Sequence, residues 1–161
     1  IWKKNKLLNQ LNFMLRNKYL VSHTSYEIIE DEIIEDDRIL ENRIARNFKD
    51  LKSLLTSCDI GLSTVMINKK IFKNKIKFTN MKTKEDFVLW LEILKSKFSI
   101  YGLDKNLVQW RKTENSLSSS SIQKLQDGYT VYNKFLKFNF IKSIYYTLIL
   151  SINFLKKKYV K

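Results

Sequence analysis

Amphipathic helical stretches and short β-branched runs take turns along this chain, and that alternation limits the folds open to it more than any other feature. Leu7, Leu8, Leu11, Met14 and Leu15 recur at three- and four-residue spacing, with Lys4, Asn5, Asn9 and Asn12 between them. This predicts an opening helix closed by Asn17 and Lys18. Tyr19 to Ile29 mixes β-branched and aromatic residues in short alternation and predicts a strand. The acidic stretch from Glu30 to Glu41 follows neither period and reads as a surface excursion. Phe48 to Leu55 reads as a short helix, Ile60 to Ile67 as a second strand and Leu107 to Arg111 as a third. Thr83 opens the best-marked helix. Its hydroxyl can cap the helix end, Asp86 completes a capping-box-like pair, and Phe87, Val88, Leu91 and Leu94 form a stripe for burial. A polar loop from Thr113 to Ser121 follows, and Ser121 would cap another helix beginning near Ile122. This order predicts an α/β layer structure, not a bundle or a sandwich.

Composition narrows the chemistry. The 161 residues suit one domain or a large piece of one, and 44% hydrophobic with 13% aromatic residues is too rich for disorder. Cys58 and His23 are the only residues of their types, which excludes an internal disulfide framework and a zinc site of soft ligands. Three glycines and no proline leave no room for a glycine-rich phosphate cradle. Ile1 in place of an initiator methionine points to an interior or C-terminal piece of a longer protein. The formal charge of +14 is uneven. Glu27, Glu30, Asp31, Glu32, Glu35, Asp36 and Asp37 crowd one segment, whereas Asp127 is the only acid from Ile122 onward. The basic C-terminal third suggests an anionic partner: nucleic acid, phosphate groups or a bilayer face. A lysine-rich surface with no specific partner accounts for it equally well.

From Phe135 to Leu155 the chain is dominated by Phe, Ile, Leu and Tyr, with lysines at either end. The thirteen uncharged residues between Lys142 and Lys156 span about 20 Å of helix, short of a hydrocarbon core of about 30 Å. Such a helix is expected to lie in the membrane interface, or else to close the core.

Glu85-Asp86-Phe87-Val88-Leu89-Trp90 is the most informative stretch. Backbone amides favour a carboxylate in a first helical turn, and that alone accounts for many such residues. Trp90 lies four residues from Asp86, hence on the same face. A carboxylate beside an indole can hold a sugar, the ring packing on its apolar face while the acid takes a hydroxyl proton. A Trp90 buried in the core would make the pair structural.

The ordered set Ser57-Cys58-Asp59-Ile60-Gly61-Leu62-Ser63-Thr64-Val65-Met66-Ile67-Asn68-Lys69, Glu85-Asp86-Phe87-Val88-Leu89-Trp90, Val108-Gln109-Trp110-Arg111 and Asn115-Ser116-Leu117-Ser118 resembles the C-terminal half of family 2 glycosyltransferases. The opening Ile1-Trp2-Lys3-Lys4-Asn5-Lys6-Leu7 is similar to the segment directly after that family's metal-binding acidic motif. The resemblance runs to about Ser118. It implies the C-terminal portion of a GT-A fold, with residues 1–120 as the acceptor-side part and 121–161 as a basic amphipathic helical tail. It also implies transfer of a sugar from a nucleotide donor to an acceptor hydroxyl, with inversion.

On this resemblance Asp86 is the catalytic base, kept ionised by the helix end, and Glu85 is a supporting acid. Ser63 and Thr64, on the strand beside the acceptor, and Trp90 would contact sugar. Trp110 and Arg111 would lie near the donor diphosphate, where a guanidinium fork suits phosphate oxygens. The divalent ion (Mn²⁺ or Mg²⁺) is expected in the full-length enzyme, with its ligands outside this chain. The isolated chain is therefore expected to be inactive. The run from Glu30 to Asp37, with no turn glycine, reads as a solvated loop and not a metal cage. The partners implied are a nucleotide-sugar donor, a sugar or lipid-linked acceptor and peripheral contact with anionic membrane. The setting implied is the cytoplasmic face of the plasma membrane, in surface polysaccharide or glycolipid synthesis, with no nucleic acid expected. Cys58 reads as a small buried residue and not as a nucleophile paired with His23. The alternative, from another class, is a non-catalytic basic module that binds anionic membrane or nucleic acid.

Overall fold

One strand, β1 (Val21–Glu30), is hydrogen-bonded along both edges and organises everything else. The structure, a computed structural model, describes residues 1–30, 39–74, 76–81, 83–113 and 120–159. β4 (Tyr101–Lys112) runs parallel to β1 from the Ser22–Tyr101 pair to the Glu30–Lys112 pair and so occupies one whole edge. The opposite edge is shared. β2 (Ile39–Arg43) is antiparallel to the second half, with Tyr26 opposite Arg43, and β3 (Met66–Ile67) to the start, with Val21 opposite Ile67. Parallel strands need a long crossover, which here contains α3 (Glu85–Lys95).

The α/β reading holds, with local corrections. β2 takes in Ile39 to Glu41 of the acidic stretch, and residues 31–38 lie outside the described ones. Phe48 is not helical but bridges Ile100, leaving α2 as Lys52–Leu55. Of the second predicted strand, Met66–Ile67 pairs as a strand, and Ser63 and Thr64 sit in a 3-10 turn, Leu62–Thr64, just before it. β4 is longer than predicted because its free edge is also occupied. The amide of Lys3 donates to the Leu107 carbonyl at 3.0 Å and that of Gln109 to the Ile1 carbonyl at 2.8 Å. At Gly102 a Cβ would come within 2.7 Å of the backbone at Ala45 and Arg46, so only glycine allows this crossing.

The core lies between the sheet and α3. Phe87, Val88, Leu89, Trp90, Leu91, Ile93 and Leu94 are all buried, so α3 is covered nearly all round and not on one stripe. The capping-box expectation fails at its entrance. Lys84, with φ 63°, occupies the cap position with no side-chain cap. The Thr83 hydroxyl instead donates to Asp127 of α4 (Ser121–Thr130), at 2.5 Å. Ser120, one residue earlier than predicted, caps α4 by accepting from the Gln123 amide.

The two amphipathic helices are turned the other way from a simple core-facing stripe. On α1 (Lys6–Asn17) the buried residues are Lys6, Gln10 and Met14, while Leu7, Leu8, Leu11 and Leu15 are exposed. The reason is the polar face beneath it: the Gln10 side-chain amide donates to the Ser22 carbonyl, the Ser22 hydroxyl and the Thr64 carbonyl. After a π-helical turn, Val131–Phe135, α5 (Phe140–Tyr159) lays Ser143, Thr147 and Ser151 inward, and their hydroxyls bond to carbonyls one turn back in the chain. Its outer face carries Ile141, Tyr145, Leu148 and Ile152, with Ile141 78% exposed. α5 is nevertheless fastened to the body of the fold. Lys157 pairs with Asp59 at 2.6 Å, the Asn153 amide donates to the Thr56 carbonyl at 3.0 Å, and Tyr132 just before α5 is fully buried. Among the described residues no helix is long and apolar enough to cross a membrane.

Candidate active site

The N-terminus of α3 opens into a cleft walled by the sheet on one side and α5 on the other. The cleft has two lobes, of about 450 and 730 Å³. Thr83, Lys84, Asp86, Arg43, Trp110 and Phe154 face both, so Asp86 stands where they meet. The smaller lobe continues between α4 and α5; the larger lies over Tyr26, Ile28 and the Leu62–Thr64 turn.

Asp86 reaches this place because Lys84 turns the chain through the left-handed region directly before the helix begins. Its Oδ1 accepts the Phe87 amide at 2.7 Å. Burial holds the carboxyl above its ordinary pKa, against the opposing pull of the Phe87 amide, and the neighbouring Glu85 charge raises it further. The expectation of a carboxyl kept low by the helix end is thereby corrected, since desolvation outweighs the helix amides. A carboxylate with a raised pKa takes a proton more readily than an ordinary one while still ionising.

The surroundings are cationic and aromatic. Burial lowers the pKa of Lys84, whose ammonium stands 5.9 Å from the centre of the Phe87 ring. Arg43 is engaged by Glu41 at 2.8 Å and Asp59 at 3.1 Å, and Asp59 is also the partner of Lys157. Trp110 is 44% exposed and presents its ring to both lobes. Cys58 is part of the wall, and burial pushes its thiol up to about 12, which leaves it protonated and unreactive.

Of the residues singled out from sequence, Asp86, Glu85, Ser63, Trp110 and Arg111 converge on the larger lobe. Trp90 and Thr64 do not. Trp90 is fully buried in the core, so no sugar can reach its ring. Thr64 is buried with its hydroxyl donating to the Gly61 carbonyl at 2.6 Å. Lys84, Arg43, Lys124 and Phe154 were missed, because they come from four separate elements with no shared motif. One signal was available: Asp127, the lone acid of the basic C-terminal third, is the residue that fixes Thr83 beside the cleft. Among the described residues no three His, Cys, Asp or Glu side chains gather to hold a metal ion.

No protein-family model matches the chain. It is similar to TuaG, a teichuronic acid biosynthesis glycosyltransferase of Bacillus subtilis (29% identical over 157 residues, 98% of this chain and 61% of that protein). It is similar also to WfgD of Escherichia coli, a UDP-Glc:alpha-D-GlcNAc-diphosphoundecaprenol beta-1,3-glucosyltransferase (31% over 150 residues, 92% and 56%). A third relative is an uncharacterized glycosyltransferase of Haemophilus influenzae (30% over 156 residues, 96% and 60%). These relatives are glycosyltransferases, and the chain spans 56 to 61% of their length.

Proposed function

We propose that this chain is the C-terminal, acceptor-side portion of a family 2 glycosyltransferase with the GT-A fold, transferring a sugar from a nucleotide donor to the hydroxyl of a lipid-linked acceptor. The observation that carries the reading is Asp86: a half-buried carboxylate of raised pKa at a helix entrance, at the junction of two lobes, in a chain whose relatives are glycosyltransferases. Its ionised oxygen takes the acceptor hydroxyl proton as that oxygen attacks the anomeric carbon. The bond from that carbon to the nucleoside diphosphate breaks in the same displacement, which inverts the centre. Glu85 and Ser63 face the acceptor from the larger lobe. Trp110 offers a ring for a sugar face, and Arg111 supplies charge toward the diphosphate.

In this reading the donor nucleotide and its divalent ion are bound by residues beyond the matched span, and the chain alone transfers no sugar. The exposed apolar face of α5, with Lys137, Lys142 and Lys156 near its ends, rests peripherally on the anionic cytoplasmic surface of the plasma membrane. That is where a lipid-linked acceptor for surface polysaccharide or glycolipid synthesis would be met. The test is sugar transfer by the complete gene product, scored over a panel of nucleotide sugars with a polyprenyl-diphosphate-linked sugar as acceptor. Product formation with one donor supports the reading; a folded protein that turns over none of the panel contradicts it.

A further inference from the structure

Tyr26 sits midway along β1, opposite Arg43 of β2 on one edge and Val108 of β4 on the other. Its side chain is half-buried and forms part of the larger lobe but not of the smaller. The hydroxyl-bearing edge of the ring lies against the chain at Gly61, where a Cβ would stand 3.4 Å from both Cε1 and Cζ. Tyrosine hydroxyls that leave bulk water ordinarily find a partner in the protein, as Tyr132 does in donating to the Leu55 carbonyl. The Tyr26 hydroxyl has none among the described residues. A phenylalanine would pack against Gly61 equally well, so the fold does not account for the hydroxyl. Cross-strand partners share a face of the sheet, which puts Arg43, itself held by Glu41 and Asp59, next to Tyr26. Burial holds the phenol above its ordinary pKa, against the opposing pull of Arg43, so it stays neutral and can donate. The larger lobe thus has a carboxylate, Asp86, at the α3 entrance and an unspent neutral donor on the sheet.

We infer that Tyr26 is a specificity-determining residue of the acceptor site. Its hydroxyl donates a hydrogen bond to a ring hydroxyl of the acceptor sugar other than the one that attacks, and so decides which oxygen meets Asp86. A sugar presents several hydroxyls of nearly equal chemistry, and a single contact at the reacting oxygen cannot choose among them. A second fixed contact can, because it removes the rotations that would bring a neighbouring hydroxyl to the base. Tyr26 is suited to the task because β1 is hydrogen-bonded along both edges, which keeps the donor in place. The assignment rests on the transfer reading, within which it names one contact and the selectivity that contact produces.

The test is Tyr26→Phe in the complete gene product, compared with the wild type for sugar transfer at saturating donor. The substitution removes one oxygen and keeps the ring. The acceptor KM is expected to rise about three- to tenfold, the worth of one neutral hydrogen bond, with the donor KM and the pH profile unchanged. Linkage analysis of the product should find sugar on more than one acceptor hydroxyl where the wild type uses one. The melting temperature should not fall, since the hydroxyl bonds nothing within the protein. A wild-type acceptor KM and a single linkage in the folded variant would overturn the assignment and leave the transfer reading standing. A melting temperature lower by several degrees would also overturn it, by showing that the hydroxyl is spent inside the fold. A folded wild type that transfers sugar from no donor of the panel removes the transfer reading and this assignment together.

Discussion

One oxygen of the Asp127 carboxylate holds Thr83 twice, accepting its amide at 3.2 Å and its hydroxyl at 2.5 Å. The other oxygen accepts the Gln123 side-chain amide at 3.0 Å. These bonds tie α4 to the residue directly before the turn that presents Lys84 and Asp86, so the cleft is shaped from the C-terminal third of the chain.

Asp127→Ala leaves a buried amide and hydroxyl of Thr83 without an acceptor. The cost expected is about 1–3 kcal/mol. In a chain of this size that lowers the melting temperature by several degrees, at about 2–4 °C per kcal/mol. Calorimetric melting checks it, and an unchanged midpoint would mean that the tie does not hold the cleft together.

A leucine is the intuitive improvement at position 10 of an amphipathic helix, yet Gln10→Leu should destabilise. The Gln10 amide serves two buried carbonyls and the Ser22 hydroxyl, and losing it strands them at a cost of about 1–3 kcal/mol. Leu11→Gln, on the exposed face, should change stability by no more than about 0.5 kcal/mol. Denaturant midpoints of the two variants settle which face is buried.

These two cases show what was legible in the sequence and what was not. Periodicity located α1, β1 and α3, because local spacing decides that a segment is helical or extended. It could not decide which face of α1 or α5 turns inward, since that depends on what lies beneath: the Ser22 and Thr64 groups under α1, and the α4 helix under α5. Asp86 with Glu85 was legible as a pair because both lie in one first turn. The Thr83 cap was misread because a distant carboxylate, Asp127, competed for its hydroxyl. Trp90 was placed beside a sugar by its spacing from Asp86, but α3 is covered on nearly every side, and that follows only from the packing of Phe48, Leu54 and Ile71 around it.

On the proposed membrane face, Ile141→Glu with Leu148→Glu should abolish co-sedimentation with vesicles rich in phosphatidylglycerol. The melting temperature should stay unchanged, since both side chains are exposed. Binding by the double variant at the wild-type level would remove α5 from the membrane.

Asp86 also makes a prediction about stability. Its ordinary pKa is 3.8 and burial raises it in the folded state, so the fold binds that proton more tightly than the unfolded chain does. Its contribution to stability therefore falls as pH rises from the unfolded value through the folded one, and at neutral pH the ionised group weakens the fold. Asp86→Asn keeps an acceptor for the Phe87 amide and should raise the melting temperature at pH 7 while changing it little at pH 3. A lower melting temperature at pH 7 would show that the carboxylate stabilises the fold.

The most direct test of the central claim is the rate of sugar transfer by the complete gene product carrying Asp86→Asn, measured beside the wild type with the same donor and acceptor. The account predicts a loss of about 10²–10⁴-fold in kcat in a protein that melts no lower than the wild type. It also predicts that the acid limb of the wild-type pH profile is shifted upward from the ordinary aspartate value. Transfer within a few fold of wild type by the folded variant would contradict the assignment of Asp86 as the base.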